Sequence, residues 1–287
     1  MSSALFRRHD GRLVAGVAIV GLFAAMAVAP GLFTSLDPAG LNLEGRLMPP
    51  SPANWLGTDA TGNDVYTRIV HGSRTTLGTV IAVLAIASLA GITIGSVSGY
   101  VGGWLDSLLM RITDVFLAFP PLILALATNA VLGRGLRQTV IAVAVLWWPA
   151  YARLVRGQIL ALRRQEFVDS ARVIGASRFR IIRHMLPNVI DPIIVRASLD
   201  AGFVALTAAS LSFLGLGAQP PTPEWGRMVA EGQTFLLDQW WVAAFPGIAL
   251  FILVVGFNMI GEALGDRMAR PWRGSGAAMA SLAKENT

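Results

Sequence analysis

The chain has 287 residues, of which 54% are hydrophobic and only 14% charged, and its mean hydropathy is +0.59. Soluble domains carry roughly 25% charged residues to solvate their surface, so this composition excludes a water-soluble body and indicates a polytopic membrane protein. A net charge of +6 with no cysteine removes disulfides, thiol nucleophiles and thiolate metal sites. The single lysine, Lys284, leaves no Gly-Lys-Ser/Thr loop to cradle nucleotide phosphates.

A spanning helix needs ~20 mostly apolar residues to cross a ~30 Å hydrocarbon core. Six candidates follow in chain order, so the expected fold is all-α with six transmembrane helices. The first covers residues 13–33, behind Arg7, Arg8 and Arg12, and leaves residues 1–12 as a tail. Its apolar run exceeds the ~7–15 residues of a signal sequence, and Pro30 would follow the cleavage-like Ala27-Val28-Ala29. It is expected to stay attached.

Residues 34–74 then form a long polar loop with prolines at Pro49, Pro50 and Pro52. Loops of that length are ordered for a function or bound to a partner. The second span lies within residues 75–105, and Gly91, Gly95 and Gly99 on it permit close backbone approach between helices. The third covers residues 107–130, with Arg111 and Asp114 near its start. The fourth, residues 138–160, contains Trp147-Trp148-Pro149, where a kink is expected. The fifth, residues 189–216, carries Arg196 and Asp200, and the sixth covers residues 240–261. Residues 75–262 thus form a five-helix core.

Nine arginines between Arg153 and Arg196 face three acids, and Arg267, Arg270, Arg273 and Lys284 follow the last span. Basic residues mark the cytoplasmic side, which puts both termini, residues 161–188 and the tail of residues 263–287 inside. This N-in, C-in arrangement accounts for the basic composition without nucleic acid as a partner. The 34–74 loop then lies outside, its three arginines offset by Asp37, Glu44, Asp59 and Asp64.

The segment from Gln165 to Asn188 is cytoplasmic, strongly basic and helix-compatible until Gly175. Phe167, Ala171 and Ile174 share one helical face, with Arg163, Glu166, Asp169 and Arg172 around it. Two readings fit that pattern: a helix lying on the membrane surface, or a docking helix that presents an apolar stripe to a groove on a soluble partner.

The same segment resembles the cytoplasmic signature of ABC importer permeases: Glu-Ala-Ala, three residues, Gly, then a spacer ending in Leu-Pro. Asp169-Ser170-Ala171 stands for Glu-Ala-Ala, Gly175 follows at the right spacing, and Leu186-Pro187 closes it. Asp169, Ser170 and Met185 depart from the commonest residues, and the spacer is one residue short. Trp55-Leu56-Gly57-Thr58-Asp59, Gly62-Asn63-Asp64, Gly99 to Trp104, Arg111 to Pro121, Tyr151 to Arg156 and Ser210 to Met228 extend the resemblance from about residue 42 to 266. They are similar to the peptide/nickel family, and within it to the second permease subunit of dipeptide and oligopeptide importers; Asn63 stands where that family usually has Arg.

The resemblance implies a type I ABC importer permease of the bacterial inner membrane. Its partners would be a second homologous permease chain, two ATPase subunits that bind ATP and Mg, an extracytoplasmic substrate-binding protein and the lipid bilayer. The chain itself would hold no catalytic residue, cofactor or metal. Glu166, Phe167, Asp169, Ser170, Ala171, Ile174, Gly175, Leu186 and Pro187 become the segment that couples to an ATPase subunit. Leu237 to Trp241 and Ser198-Leu199-Asp200 resemble the dipeptide branch. Nickel chelates, opines or another small solute are the alternative cargoes.

Ionisable groups at membrane depth are costly, roughly 2.5–3.5 kcal/mol on insertion scales. Arg196 and Asp200, one turn apart, can satisfy each other as a structural pair, or Asp200 can face the pore. Asp114 with Arg111, and Glu262 with Asp266, read as charges at the interface or at a subunit contact. A secondary transporter would show broken helices in two related halves, and none are evident. An intramembrane enzyme would need catalytic or metal-binding groups at depth, whereas His9, His71 and His184 all fall outside the expected spans.

Overall fold

A computed structural model describes the backbone of residues 2–285 and the side chains of residues 11–268. The side chains of Arg7, Arg8, His9, Arg270, Arg273 and Lys284, expected in the two tails, lie outside the described ones. The described residues form ten α-helices: α1 Ser2–Val28, α2 Val65–Val101, α3 Gly103–Ala118, α4 Pro121–Leu132, α5 Leu136–Leu162, α6 Glu166–Val173, α7 Arg178–Met185, α8 Pro187–Phe213, α9 Trp225–Gly232 and α10 Trp241–Glu285.

The protein is an all-α membrane protein. Among the described residues, four helices are long and apolar enough to cross a membrane: Gly11–Val28 of α1, α2, α5 and Trp241–Met268 of α10. The expected third span is broken into α3 and α4, which meet at 97° and make a fifth crossing if counted together. The break has a local cause. Phe119 is extended (φ −82°, ψ 140°) ahead of Pro120 and Pro121, as the steric demand of a following proline requires. Pro149, where a kink was expected, lies inside α5 without ending it. The six expected spans are therefore four or five by length and composition. α8, in the place of the expected fifth, has 27 residues and lies outside that set.

α2 begins ten residues before the expected span. Asp64 caps it, accepting from Thr67 N at 2.7 Å, a contact that satisfies one of the free N–H groups of the first turn. At 37 residues the helix is ~55 Å long, so Arg68, His71 and Arg74 ride on turns that extend beyond the ~30 Å core. The end of the expected loop, and His71 with it, is thus helical.

Small residues set the packing. α2 lies along α5, and a Cβ added at Gly91 would stand 2.3 Å from Tyr151 Cβ, one at Gly95 2.5 Å from Ala152 O, and one at Gly99 3.0 Å from Arg156 O. The backbones touch there, which only glycine allows. α1 meets α10 in the same way, Gly256 against Ile19 and Gly16 against the Gly256 carbonyl. Phe23, Val80, Val83, Leu211, Trp225 and Leu253 fill the core between α1, α2, α8, α9 and α10. A second cluster joins α2 and α5 to α6, α7 and the start of α8.

Candidate functional site

Residues 166–187 fold as two short helices set against the ends of α2 and α5. α6 stops at a reversal in which Gly175 N bonds Arg172 O and Ala176 N bonds Ala171 O, both at 3.0 Å. This paired closure needs a left-handed residue, and Gly175 supplies it with φ +76°. A Cβ there meets nothing within 4 Å, so the position is restricted by backbone conformation and not by space. Ser177 starts α7 by accepting from Arg180 N at 3.4 Å. Leu186, half-buried, has helical dihedrals (φ −53°, ψ −43°) and links α7 to α8. Pro187, exposed, opens α8 at the position where a missing N–H costs nothing.

The two helices divide their apolar residues between inside and outside. Val168, Ile181 and Met185 are fully buried or nearly so, beside Tyr100, Val155 and Ile159. Phe167, Val173, Ile174 and Phe179 are exposed, Val173 by 87% and Ile174 by 82%. Of the expected stripe, Phe167 and Ile174 thus point outward while Ala171 is half-buried against the inner cluster. Val168 is the anchor that the Phe167–Ala171–Ile174 spacing did not identify. Glu166 and Ser170 are exposed, and Asp169 pairs with Arg172 at 2.7 Å.

Some charges pair across helices and others, as expected of Arg196 and Asp200, between sequence neighbours. Asp114 of α3 bonds Arg153 of α5 rather than Arg111, and Glu262 of α10 reaches Arg12 of α1 at 3.7 Å. Asp106 receives both Arg156 Nε and Nη2 at 2.6 Å, a bidentate geometry. On α8, Arg196 Nε bonds Asp200 Oδ2 at 2.8 Å. The Asp200 side chain is 7% exposed and that of Arg196 48%, so the acid is buried and its cation half-open.

A further network at the opposite end was not anticipated. Arg68, nearly buried on α2, bonds Asp59 of the long loop and Glu231 of α9, the latter at 3.0 Å. Glu231 also takes Arg227 Nε at 2.8 Å. Asp59 in turn accepts from Thr61 N, Thr61 Oγ1 and Asn63 N at 2.7–2.9 Å. The loop is pinned to α10 as well, Trp241 Nε1 donating to Thr58 O at 3.2 Å, and Trp225 Nε1 donates to Ile69 O at 3.0 Å. Buried Glu224 caps α9 through Gly226 N and Arg227 N. Burial raises this carboxyl above its ordinary range, and the backbone donors oppose the shift. Asp59 in its Gly-Thr-Asp run was the one visible signal for this network.

Residues 91–272 match the family of binding-protein-dependent transport system inner membrane components. The chain belongs to that family: it is a permease subunit of an ABC importer, a non-catalytic multi-pass protein of the inner membrane. A separate ATPase and a binding protein are the partners such a system implies.

Three relatives place it within the peptide/nickel branch, among second permease subunits. The probable D,D-dipeptide transport system permease protein DdpC of Escherichia coli (strain K12) is 44% identical, over 88% of this chain and 85% of its own length. The dipeptide transport system permease protein DppC of Alkalihalophilus pseudofirmus is 43% identical, over 89% and 84%. The nickel transport system permease protein NikC of Escherichia coli (strain K12) is 39% identical, over 87% and 91%.

Proposed function

We propose that this chain forms half of the pore of an importer for short peptides, beside a second homologous permease chain. Two ATPase subunits lie on the cytoplasmic face and a substrate-binding protein delivers cargo from outside. α8 completes a set of six spans in which α3 and α4 are one broken crossing, and both termini lie inside. The observation that carries this reading is α6: its inner side is anchored by Val168, while Phe167, Val173 and Ile174 stand exposed in a basic segment. Such a face fits a groove on a soluble partner and is the element through which ATP-driven closure reaches the pore. Short peptides are supported by the two relatives named for dipeptides.

Two experiments test it. Ser51 is exposed on the long loop of a chain without cysteine, so Ser51→Cys should react with an impermeant maleimide from outside. Reaction only after the inner face is opened overturns the sidedness. The complex with its ATPase and binding protein, reconstituted in proteoliposomes, should take up labelled dipeptides when ATP is supplied. Uptake of a nickel chelate or an opine with no uptake of any peptide overturns the substrate assignment and leaves the architecture standing.

A further inference from the structure

The ends of α2 and α5 come together beside the α6–α7 segment. α2 stops at Val101 and α5 at Leu162, one residue before Arg163. A Cβ added at Gly102, which follows α2 with φ +72°, would lie 3.3 Å from Arg163 Nη1, so this guanidinium rests on the C-terminal end of α2. Two adjoining cavities open there. The larger, about 800 Å³, is lined by Leu160, Ala161, Arg163, Arg164, Asp169 and Arg172. The smaller, about 210 Å³, adds Tyr100, Val101 and Arg178 to the shared Arg163 and Arg172.

Four arginines therefore surround one acid, and that acid is already taken, Arg172 holding Asp169 at 2.7 Å. Arg163, Arg164 and Arg178 have no ion-pair partner among the described residues. The negative end of the α2 dipole balances Arg163 only in part. What is left is a concave site with excess positive charge, made of planar guanidiniums whose forks match phosphate oxygens.

Its position says where the phosphate comes from. Two spanning helices end at the cavity, about two to three turns past Arg153 and Arg156 of α5, so it falls on the polar side of the hydrocarbon, within reach of phospholipid headgroups; basic pockets between spans at that level hold anionic headgroups. Its direction separates it from protein docking. At 3.6 residues per turn, Arg172 sits at least a quarter turn from Phe167, Val173 and Ile174, whereas Asp169 lies close to Val173, so a partner covering the apolar face leaves the Arg172 flank open.

We propose that the cavity between the end of α2, α5, α6 and α7 binds the phosphate of an anionic phospholipid headgroup, with Arg163, Arg172 and Arg178 as its ligands. Assigning it to the cytoplasmic leaflet rests on the sidedness proposed above; the binding itself does not. A headgroup held there bridges the end of α5 to α6 and α7, so the composition of the leaflet bears on how firmly the coupling segment is seated.

The test uses the purified complex, with its ATPase subunits, in nanodiscs of equal phosphatidylglycerol and phosphatidylcholine. Both leaflets then carry the same lipid, so the outcome does not depend on which way round the chain sits. Lipid retained after detergent exchange is counted by mass spectrometry. Phosphatidylglycerol should be enriched, and the enrichment should fall about thirtyfold when Arg163→Gln and Arg178→Gln are combined, two guanidinium charges facing the headgroup being removed. Arg163→Lys with Arg178→Lys should keep most of it, and Arg137→Gln, at the other end of α5, all of it. Equal retention of the two lipids by the wild type, or undiminished enrichment in the Gln variant, overturns the proposal. So does loss of the enrichment on adding millimolar inorganic phosphate, which would make free phosphate the ligand. Loss of the ATPase subunits from the Gln variant, with no lipid preference in the wild type, would assign these arginines to a protein partner instead.

Discussion

The two ends of this molecule treat charge in opposite ways. At the end that carries the long loop, Arg68 is turned inward and closed off by Asp59 and Glu231, with Thr61 and Asn63 completing Asp59. At the end formed by α6 and α7, Arg163, Arg164 and Arg178 line open cavities, and Phe167, Val173, Ile174 and Phe179 are left uncovered. One end is completed by the chain itself. The other presents groups that only something outside the chain can satisfy. A buried cation without its acids is expensive, so the first end is held by internal stability; the second is free to be shaped by what it meets.

The sharpest way to break that comparison is Arg68→Ala. Buried Asp59 would lose its cation, while the partly exposed Glu231 keeps Arg227, and removing one partner of a buried pair typically costs ~3–5 kcal/mol. The variant should fail to accumulate as folded complex, as read by fluorescence-detected size exclusion. A normal yield would mean that the loop is not held by this network. Next in size is the helix contact. Gly91→Leu drives a side chain into the α5 backbone at Tyr151, and overpacking of this kind costs ~1–3 kcal/mol, seen as a lower unfolding temperature.

Arg196 and Asp200 should respond unequally, because one is half-open and the other buried. Arg196→Ala strands a buried acid and should cost ~1–3 kcal/mol; Asp200→Ala leaves a cation that water can reach and should cost less. The double variant should then be more stable than Arg196→Ala alone, a comparison made by thermal unfolding in detergent. Normal folding of Asp200→Ala with transport lost, and no rescue by the Arg196 change, would point to a role for Asp200 in the pore. At the other end, Gly175→Leu places a branched residue in the left-handed region at ~1–2 kcal/mol. With open space around it, the complex should still assemble, while ATP hydrolysis no longer drives uptake.

The smallest effect concerns Glu224. Burial raises its pKa above the unfolded value, so its contribution to stability is fullest in acid and declines as pH rises through the folded value. Glu224→Gln keeps an acceptor for the helix cap and should flatten that part of the profile, with a change of only about 0.5 kcal/mol at neutral pH. An unaltered pH profile would show that the carboxyl stays exposed to water.

Local chemistry was legible in the sequence and distant pairing was not. Gly175, Asp169-Ser170-Ala171 and Leu186-Pro187 marked the segment proposed to couple through a family resemblance, where their periodicity alone left two readings open, and Gly91, Gly95 and Gly99 marked a close helix contact. Phe119-Pro120-Pro121 carried the break in the third span, yet hydropathy alone ran straight through it. Counting charges as loop placed the start of α2 too late, since Arg68 and Arg74 sit on helical turns beyond the apolar core. Val168 was missed because an apolar face looks the same whether it packs inward or outward. Arg68 and Glu231, 163 positions apart, meet only because α9 folds back onto α2, and no periodicity records that.

The glycine contact between α2 and α5 also sets the mechanics. Carbonyl and Cβ atoms of one helix stand where a side chain of the other would have to be, so the pair resists sliding and behaves as one stiff plank. Only residues 163–165 separate α5 from α6. If α6 receives a push, as the proposed function has it, little of it would be absorbed by bending between these two helices; it would travel along the plank to the far face, where the charged first turns of α2 grip the long loop. On the function proposed for α6, that pair would serve as a lever arm, with its handle at one surface and its load at the other.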